Sequence, residues 1–378
     1  MPQQRYNSGE ITETRIEEIS NFYEGSVMIG DSEIYSVVKD HLEFHAAELR
    51  KMPGFDGWLP ARLPARIASE INECGRLIAT DTVATEIRFV TDARKIRLTL
   101  SALKPEFGQD RLEIRIFFGD FQYQTHWLEP GRVSTLVFSP PPVLGRIRED
   151  HLRRGAGIGF APDVCRVLSQ RGGLIYCGIE TFGHAVRPPE KSEKPAKTCL
   201  FYGSSITNSF LDGYPSIACQ RLGTDIINLG LSGACHIEPQ LVDWMTALDG
   251  WDLAVFELGI NMIEAGFGAD EFRSRVDHLL KAFTARHPAK PLILLTLFPS
   301  AFRGKFLKTP PVEDRDAAFC DILRELYAQY RNRGNLHLIE GDAILDDPRM
   351  LGADFLHPKN FGHAVMGLNL AEQLKKLL

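Results

Sequence analysis

The 378-residue sequence has no excess of positive charge: 43 Lys and Arg face 49 Asp and Glu, a formal net charge of −6. Without a basic surplus to neutralise phosphates, a nucleic-acid partner is not expected. No apolar run approaches the roughly 18 residues of a membrane helix, so no membrane partner is expected either. The N-terminal segment MPQQRYNSGEITETRIEEIS lacks the apolar stretch of a secretory signal, and a cytoplasmic protein is expected. Cysteine is sparse: the seven residues are scattered, odd in number and form no CxxC pair, which argues against a disulfide scaffold or a zinc knuckle. They read as reduced, mostly buried thiols. The histidines His41, His45, His126, His151 and His184 make no HExxH or HxH cluster with carboxylates. Neither a metal nor a cofactor is therefore expected. Internal repeats and low-complexity tracts are also absent.

What remains is an ordinary folded composition, 44% hydrophobic and 24% charged, in a chain long enough for two domains. The sharpest break is RPPEKSEKPAK (187–197), whose proline and charge suit an exposed linker. Before it, the runs EIRFV (86–90), KIRLTL (95–100), LEIRIFF (112–118) and STLVF (134–138) alternate apolar and polar residues. Such alternation, with turn residues at 91–93 and 129–131, predicts antiparallel strands of a β-sandwich or jelly roll over 1–186. One stretch, 63–71, has helical spacing with a proline near its start.

After the break, apolar strands over 198–202, 225–231, 253–258, 291–298 and 336–339 alternate with helices over 209–222, 239–247, 270–285, 314–333 and 362–377. This order predicts a three-layer α/β/α domain over 198–378 with a parallel sheet and right-handed crossovers. Ligands bind such sheets at the carboxyl ends of the strands.

Four segments fall there. FYGSSIT (201–207) runs from a strand into a small-residue turn, where a serine projects from the strand end. On its own the segment reads more readily as an ordinary helix cap or turn, where Gly-Ser-Ser is common. NLGLSG (228–233) offers a glycine whose N–H can approach a substrate without a Cβ in the way. ELGIN (257–261) offers an asparagine amide, which could also bond its own backbone. DFLHPKN (354–360) places Asp354 three residues before His357, so one turn can offer the carboxylate to Nδ1 while Nε2 faces a serine.

Together and in this order, the four blocks resemble the SGNH (GDSL-type) hydrolase superfamily over residues 198–378. The resemblance implies Ser205 as nucleophile, His357 as general base and acid, and Asp354 as the group that orients His357. It implies an oxyanion hole from the N–H groups of Ser205 and Gly233 and the side chain of Asn261. The first block reads Gly-Ser-Ser where the family usually has Gly-Asp-Ser, and Met262 stands where an aspartate often follows the asparagine. A branch with Gly-Ser-Ser-Ile-Thr carries a small β-sandwich in front and resembles carbohydrate esterases. The segment 62–71 followed by TEIRFVTD (85–92) looks like that sandwich. The implied activity is removal of short acyl groups, acetyl foremost, from a sugar or glycoside through an acyl-enzyme. A related arrangement occurs in acyltransferases of natural-product assembly. Acyl transfer to a small-molecule hydroxyl is therefore one alternative, and a non-catalytic carbohydrate-binding protein is another. A small-molecule or oligosaccharide ester is the expected substrate, and a homo-oligomer is left open.

Rivals exist within the sequence. Ser204 competes with Ser205 as nucleophile, and the family register favours Ser205. His363 and His236 lack a carboxylate at the right spacing, which favours structural or substrate-contact roles. Trp58, Trp127, Trp244 and Trp251 could stack on sugar rings, but tryptophan more often packs a core.

Overall fold

A computed structural model describes residues 36–104, 110–146, 159–209, 211–300, 308 and 314–378. The N-terminal segment and His151 lie outside the described residues.

Two antiparallel sheets form the N-terminal part. The first runs β1 (Ser36–Lys39), β2 (Leu42–His45), β5 (Glu86–Thr91), β10 (Cys165–Ser169), β7 (Leu112–Phe118) and β8 (Phe121–Leu128), with β12 (Val186–Arg187) also paired to β5. The second runs β3 (Glu48–Lys51), β4 (Trp58–Ala61), β11 (Leu174–Glu180), β6 (Ile96–Ala102) and β9 (Ser134–Phe138). The alternation read from the sequence does what a sandwich requires. Leu112, Ile114, Ile116 and Phe118 of β7 meet Leu98 and Leu100 of β6 in one buried cluster, while Glu113, Arg115 and Phe117 take the other face.

A parallel sheet of order β14 (Asp225–Asn228), β13 (Thr198–Tyr202), β15 (Leu253–Glu257), β16 (Leu292–Leu295) and β17 (Leu336–Ile339) forms the C-terminal part. Cys199 and Phe201 of β13 join the core beneath helices over Tyr214–Leu222 and Asn360–Leu374. Leu200 and Tyr202 join the opposite core, with helices over Pro239–Ala247, Ala269–Arg286 and Arg315–Tyr330. Alternate residues of one strand thus feed two helical layers, which is why the strands read as continuously apolar.

Two short helices, α1 (Ala65–Glu70) and α2 (Glu73–Ile78), lie between β4 and β5. Their side chains Ile67, Ala68 and Ile78, with Leu63 and Ile71 beside them, are buried in the core of the α/β part rather than in the sandwich. The helices behind the parallel sheet are numbered α3 (Tyr214–Leu222), α4 (Pro239–Ala247), α5 (Ile260–Glu264), α6 (Ala269–Arg286), α7 (Arg315–Tyr330), α8 (Gly341–Ile344) and α9 (Asn360–Leu374). Helix α3 starts later than the periodicity suggests because Gly213 caps it and Pro215 occupies its first turn.

The outer face of the first sheet meets the α/β part through buried charge. Arg88 is fully buried and donates to both carboxylate oxygens of Asp225 at 2.7 Å, to Glu86 at 2.7 Å and to Glu43 at 3.3 Å. Arg166 forks onto Glu86 at 2.6 and 2.7 Å. His45, kept neutral by burial and by the Arg88 charge, donates Nε2–H to the carbonyl of Ile226 at 2.8 Å. The segment 187–197 belongs to the same junction: Arg187 pairs with Glu193, and Lys194 reaches Glu43 at 2.6 Å.

Burial alone would raise the Glu86 carboxyl, but the Arg166 and Arg88 guanidinium groups hold it at about 2. Asp225 is held well below the usual range by Arg88 against the same cost of burial. Removing the shared cation leaves buried carboxylates uncompensated, so Arg88→Ala should cost roughly 3–5 kcal/mol in urea unfolding near neutral pH. Because both acids are depressed, their stabilisation is complete above the ordinary carboxylate range and fades as pH falls toward 2. The gap between wild type and variant should therefore narrow on acidification; a gap independent of pH would contradict this account.

Candidate active site

Ser205 stands on the turn that leaves β13, and the structure brings it to the loop before α9. Its Oγ lies 2.7 Å from Nε2 of His357, and Nδ1 of the same ring lies 2.8 Å from Oδ2 of Asp354. The carboxylate accepts the Nδ1 hydrogen, which leaves Nε2 as the acceptor for the Ser205 hydroxyl. One carboxylate also builds the loop: Oδ1 of Asp354 accepts the backbone N–H groups of Leu356 and His357, both at 3.1 Å. The three-residue spacing therefore makes a turn and orients a ring with the same side chain. Partial burial works against the Asp354 charge, but bonds from the His357 ring and the two N–H groups hold its carboxyl below its ordinary value.

Ser204, the rival in sequence, points elsewhere. It is buried, and its N–H and Oγ–H both donate to Oε2 of Glu257 at 2.8 and 2.7 Å. Thr207 Oγ1 donates to the same oxygen at 3.0 Å. The turn thus rests on a buried carboxylate at the end of β15. Gly203 is needed for that approach: a Cβ there would meet Glu257 Oε2 at 2.7 Å and Thr207 Oγ1 at 2.5 Å. Burial pushes the Glu257 carboxyl up to about 7, although the Ser204 and Thr207 bonds pull it down.

Gly233 sits in a left-handed turn with φ +69°, a conformation that favours glycine. Asn261 is buried at the start of α5; its side-chain oxygen accepts Cys235 N–H at 3.2 Å, and its Nδ2 donates to Glu264 at 3.1 Å. The amide has a second hydrogen beyond the one Glu264 accepts. His363 lies on α9, accepts the Tyr214 N–H at 3.3 Å through Nδ1, and is pushed down to about 4 by burial and by the Arg171 and His357 charges. His236 packs its ring against Phe267 at 5.0 Å, and its Nε2 is buried without a hydrogen-bond partner among the described residues. Trp251 is buried and Trp127 is exposed, while Trp58 and Trp244 are intermediate.

Two arginines of the N-terminal part hold the strand-end loops, and sequence reading missed both. Arg171, in the turn between β10 and β11, donates to the carbonyls of Ser205 at 2.5 Å and Asn208 at 2.6 Å. Arg62 is buried after β4 and donates to the carbonyls of Asn228 at 3.2 Å and Gly230 at 2.7 Å. Glu257 was missed as well. Its signal was there, since a lone acid ends the otherwise apolar strand Leu253–Glu257. Arg171 gave none, because a single arginine beside two glycines looks like any exposed turn.

A parallel sheet between two helical layers, with a serine, a histidine and an aspartate joined at its strand ends behind an antiparallel sandwich, is the fold of SGNH-type hydrolases and acyltransferases. Residues 201–365 match the family described as GDSL-like Lipase/Acylhydrolase. No curated protein matches the sequence. Among solved structures, the salicylyl-acyltransferase SsfX3 from a tetracycline biosynthetic pathway is similar with a TM-score of 0.72 at 18% identity, covering 92% of this chain and 98% of that one. A family two carbohydrate esterase from Cellvibrio japonicus is similar with a TM-score of 0.55 at 11% identity, covering 90% and 96%. The acetyl xylan esterase Est2A from Butyrivibrio proteoclasticus is similar with a TM-score of 0.52 at 10% identity, covering 90% and 96%. At these identities the likeness is one of fold, and it spans both parts of the chain.

The near-neutral affinity of Glu257 for its proton gives a test of the turn. A carboxyl raised from 4.5 to about 7 favours folding below the lower value, and that contribution is lost as pH rises to the upper one. Glu257→Gln keeps one oxygen for all three donors and removes the titration. Relative to wild type, the variant should gain about 1–3 kcal/mol of unfolding free energy between about pH 4.5 and 7. Parallel stability–pH curves for the two proteins would show that Glu257 does not titrate there.

Proposed function

We propose that the chain is a serine-dependent ester hydrolase that removes short acyl groups, acetyl foremost, from a carbohydrate or glycoside. The observation that carries this reading is the continuous hydrogen-bond line from Ser205 Oγ through His357 to Asp354, at 2.7 and 2.8 Å. Ser205 Oγ attacks the ester carbonyl as its proton passes to His357 Nε2. Asp354 fixes the ring and balances the imidazolium that forms. The tetrahedral oxyanion is met by the N–H groups of Ser205 and Gly233 and by the second amide hydrogen of Asn261. Loss of one such donor typically slows the reaction roughly a hundredfold to a thousandfold. His357 then returns the proton to the leaving alcohol, leaving an acyl ester on Ser205. Water attacks that ester as His357 takes one of its protons, and collapse of the intermediate releases the acid while His357 returns that proton to Ser205 Oγ. Neither a metal nor a cofactor enters any step.

Acyl transfer to an alcohol uses the same first half. The extent of the SsfX3 likeness favours this second reading, but only by analogy of fold. Exposure favours hydrolysis: the His357 and Asp354 side chains keep 44% and 51% of their surface open, so water reaches the ring that would activate it. The carbohydrate part of the proposal rests on analogy with the esterases of similar fold.

Wild type should hydrolyse p-nitrophenyl acetate and react with a fluorophosphonate at Ser205. Ser205→Ala should lose the labelling and at least about a thousandfold in turnover. Release of acetate from acetylated sugars checks the substrate class, and the partition between water and added alcohols separates hydrolysis from transfer. Turnover that survives Ser205→Ala would end the proposal.

A further inference from the structure

Outside the Ser205 centre, a groove of about 360 Å³ opens between the outer face of the first sheet and helix α3. That volume is in the range of small-molecule sites, which occur preferentially where domains meet. None of Ser205, Gly233, Asn261, Asp354 or His357 lines it. The strand register explains its wall. Phe117 of β7 faces Gln122 of β8, Arg115 faces Thr125, and Glu113 faces Trp127, so these side chains share the face turned from the sandwich core. Helix α3 supplies the opposite wall with Ser216 and Gln220.

The charges around the groove are already matched. Arg115 forks onto Asp212 at 2.8 and 3.0 Å, and Arg166 forks onto Glu86. Asp225 is held by Arg88, and Asp120 accepts the Gly159 N–H at 2.7 Å. An anion would find its cations engaged, and a cation its carboxylates. What stays available is hydroxyl and amide chemistry at Ser216, Gln220 and Gln122, one of whose amide hydrogens goes to Thr125 at 3.2 Å, beside Phe121, which is 41% exposed. Planar amides that both donate and accept, beside an open aromatic ring, suit a ligand with hydroxyls around its rim and C–H groups on its face.

We propose that this groove is a second binding site, for an uncharged sugar, separate from the Ser205 centre. Beyond Arg115 and Phe117 the same face continues to Trp127, also 41% exposed. The proposal shares the ligand chemistry of the esterase reading but not its site, so the two fail separately.

The test uses the full chain carrying Ser205→Ala, probed with xylose, glucose and their short oligomers by saturation-transfer NMR and isothermal titration. Phe121 and Gln220 are exposed, so Phe121→Ala and Gln220→Ala should leave the thermal melt in place. Phe121→Ala should weaken sugar binding by about tenfold, through loss of ring contact, and Gln220→Ala should weaken it measurably. With Ser205 restored, neither change should alter p-nitrophenyl acetate turnover. Such weakening upholds the proposal whether or not wild type turns that ester over. It is overturned if no sugar gives saturation transfer, if both variants bind as well as the parent, or if an aromatic acid such as salicylate takes the groove instead.

Discussion

The structure depends on a buried ion cluster at the junction of its two parts. Arg88 rises from the middle of an antiparallel sheet and meets Asp225 at the first residue of a parallel strand. A buried guanidinium is tolerable only when its donors are met, and here Glu43, Glu86 and Asp225 meet them together. The partners lie on both sides of the junction, so neither side can move away without stranding a charge. Such clusters contribute less net stability than apolar packing of equal size, but they define one geometry. Arg62 and Arg171 depend on that fixed docking, because each reaches carbonyls of the α/β part that a shifted sandwich would miss.

The serine turn follows the same logic at smaller scale. Its hydrogen bonds converge on Glu257 from one side and Arg171 from the other, so the loop carrying Ser205 is held by a buried acid and a mostly buried base. Gly203 lets the acid come close, and the strand ends supply the rigid frame. The aspartate usual in the family's first block is replaced here by Ser204, whose hydroxyl turns inward to Glu257.

Much of this was legible in the sequence where periodicity is strong. The runs 112–118, 134–138, 198–202 and 336–339 coincide with β7, β9, β13 and β17. Helix 239–247 coincides with α4. The resemblance carried by the order of the four blocks implied that Ser205, Asp354 and His357 act together, and the structure brings them within hydrogen-bond distance. Strands β1 to β4 have four residues each, too short for alternation to register. Strand β8 carries Gln122, Gln124 and His126 at a sheet edge, where polar residues are tolerated and the apolar signal fades. Arg62, Arg88 and Arg171 were invisible for another reason. The partners they meet in the α/β part lie far along the chain, and no local pattern distinguishes a buried arginine from an exposed one.

The hairpin of α1 and α2 has a consequence for biosynthesis. Residues 63–79 leave the ribosome before the core that covers Leu63, Ile67 and Ile78, which is not made until β13, β14 and α4 have followed. The sandwich strands are made first, but this apolar ledge stays uncovered until those elements follow. Exposed apolar surface of this kind is what chaperones hold and what drives nascent chains to associate. Vectorial synthesis therefore couples the two halves in time as the ion cluster couples them in space: the first half waits, with a sticky edge, for the second to arrive.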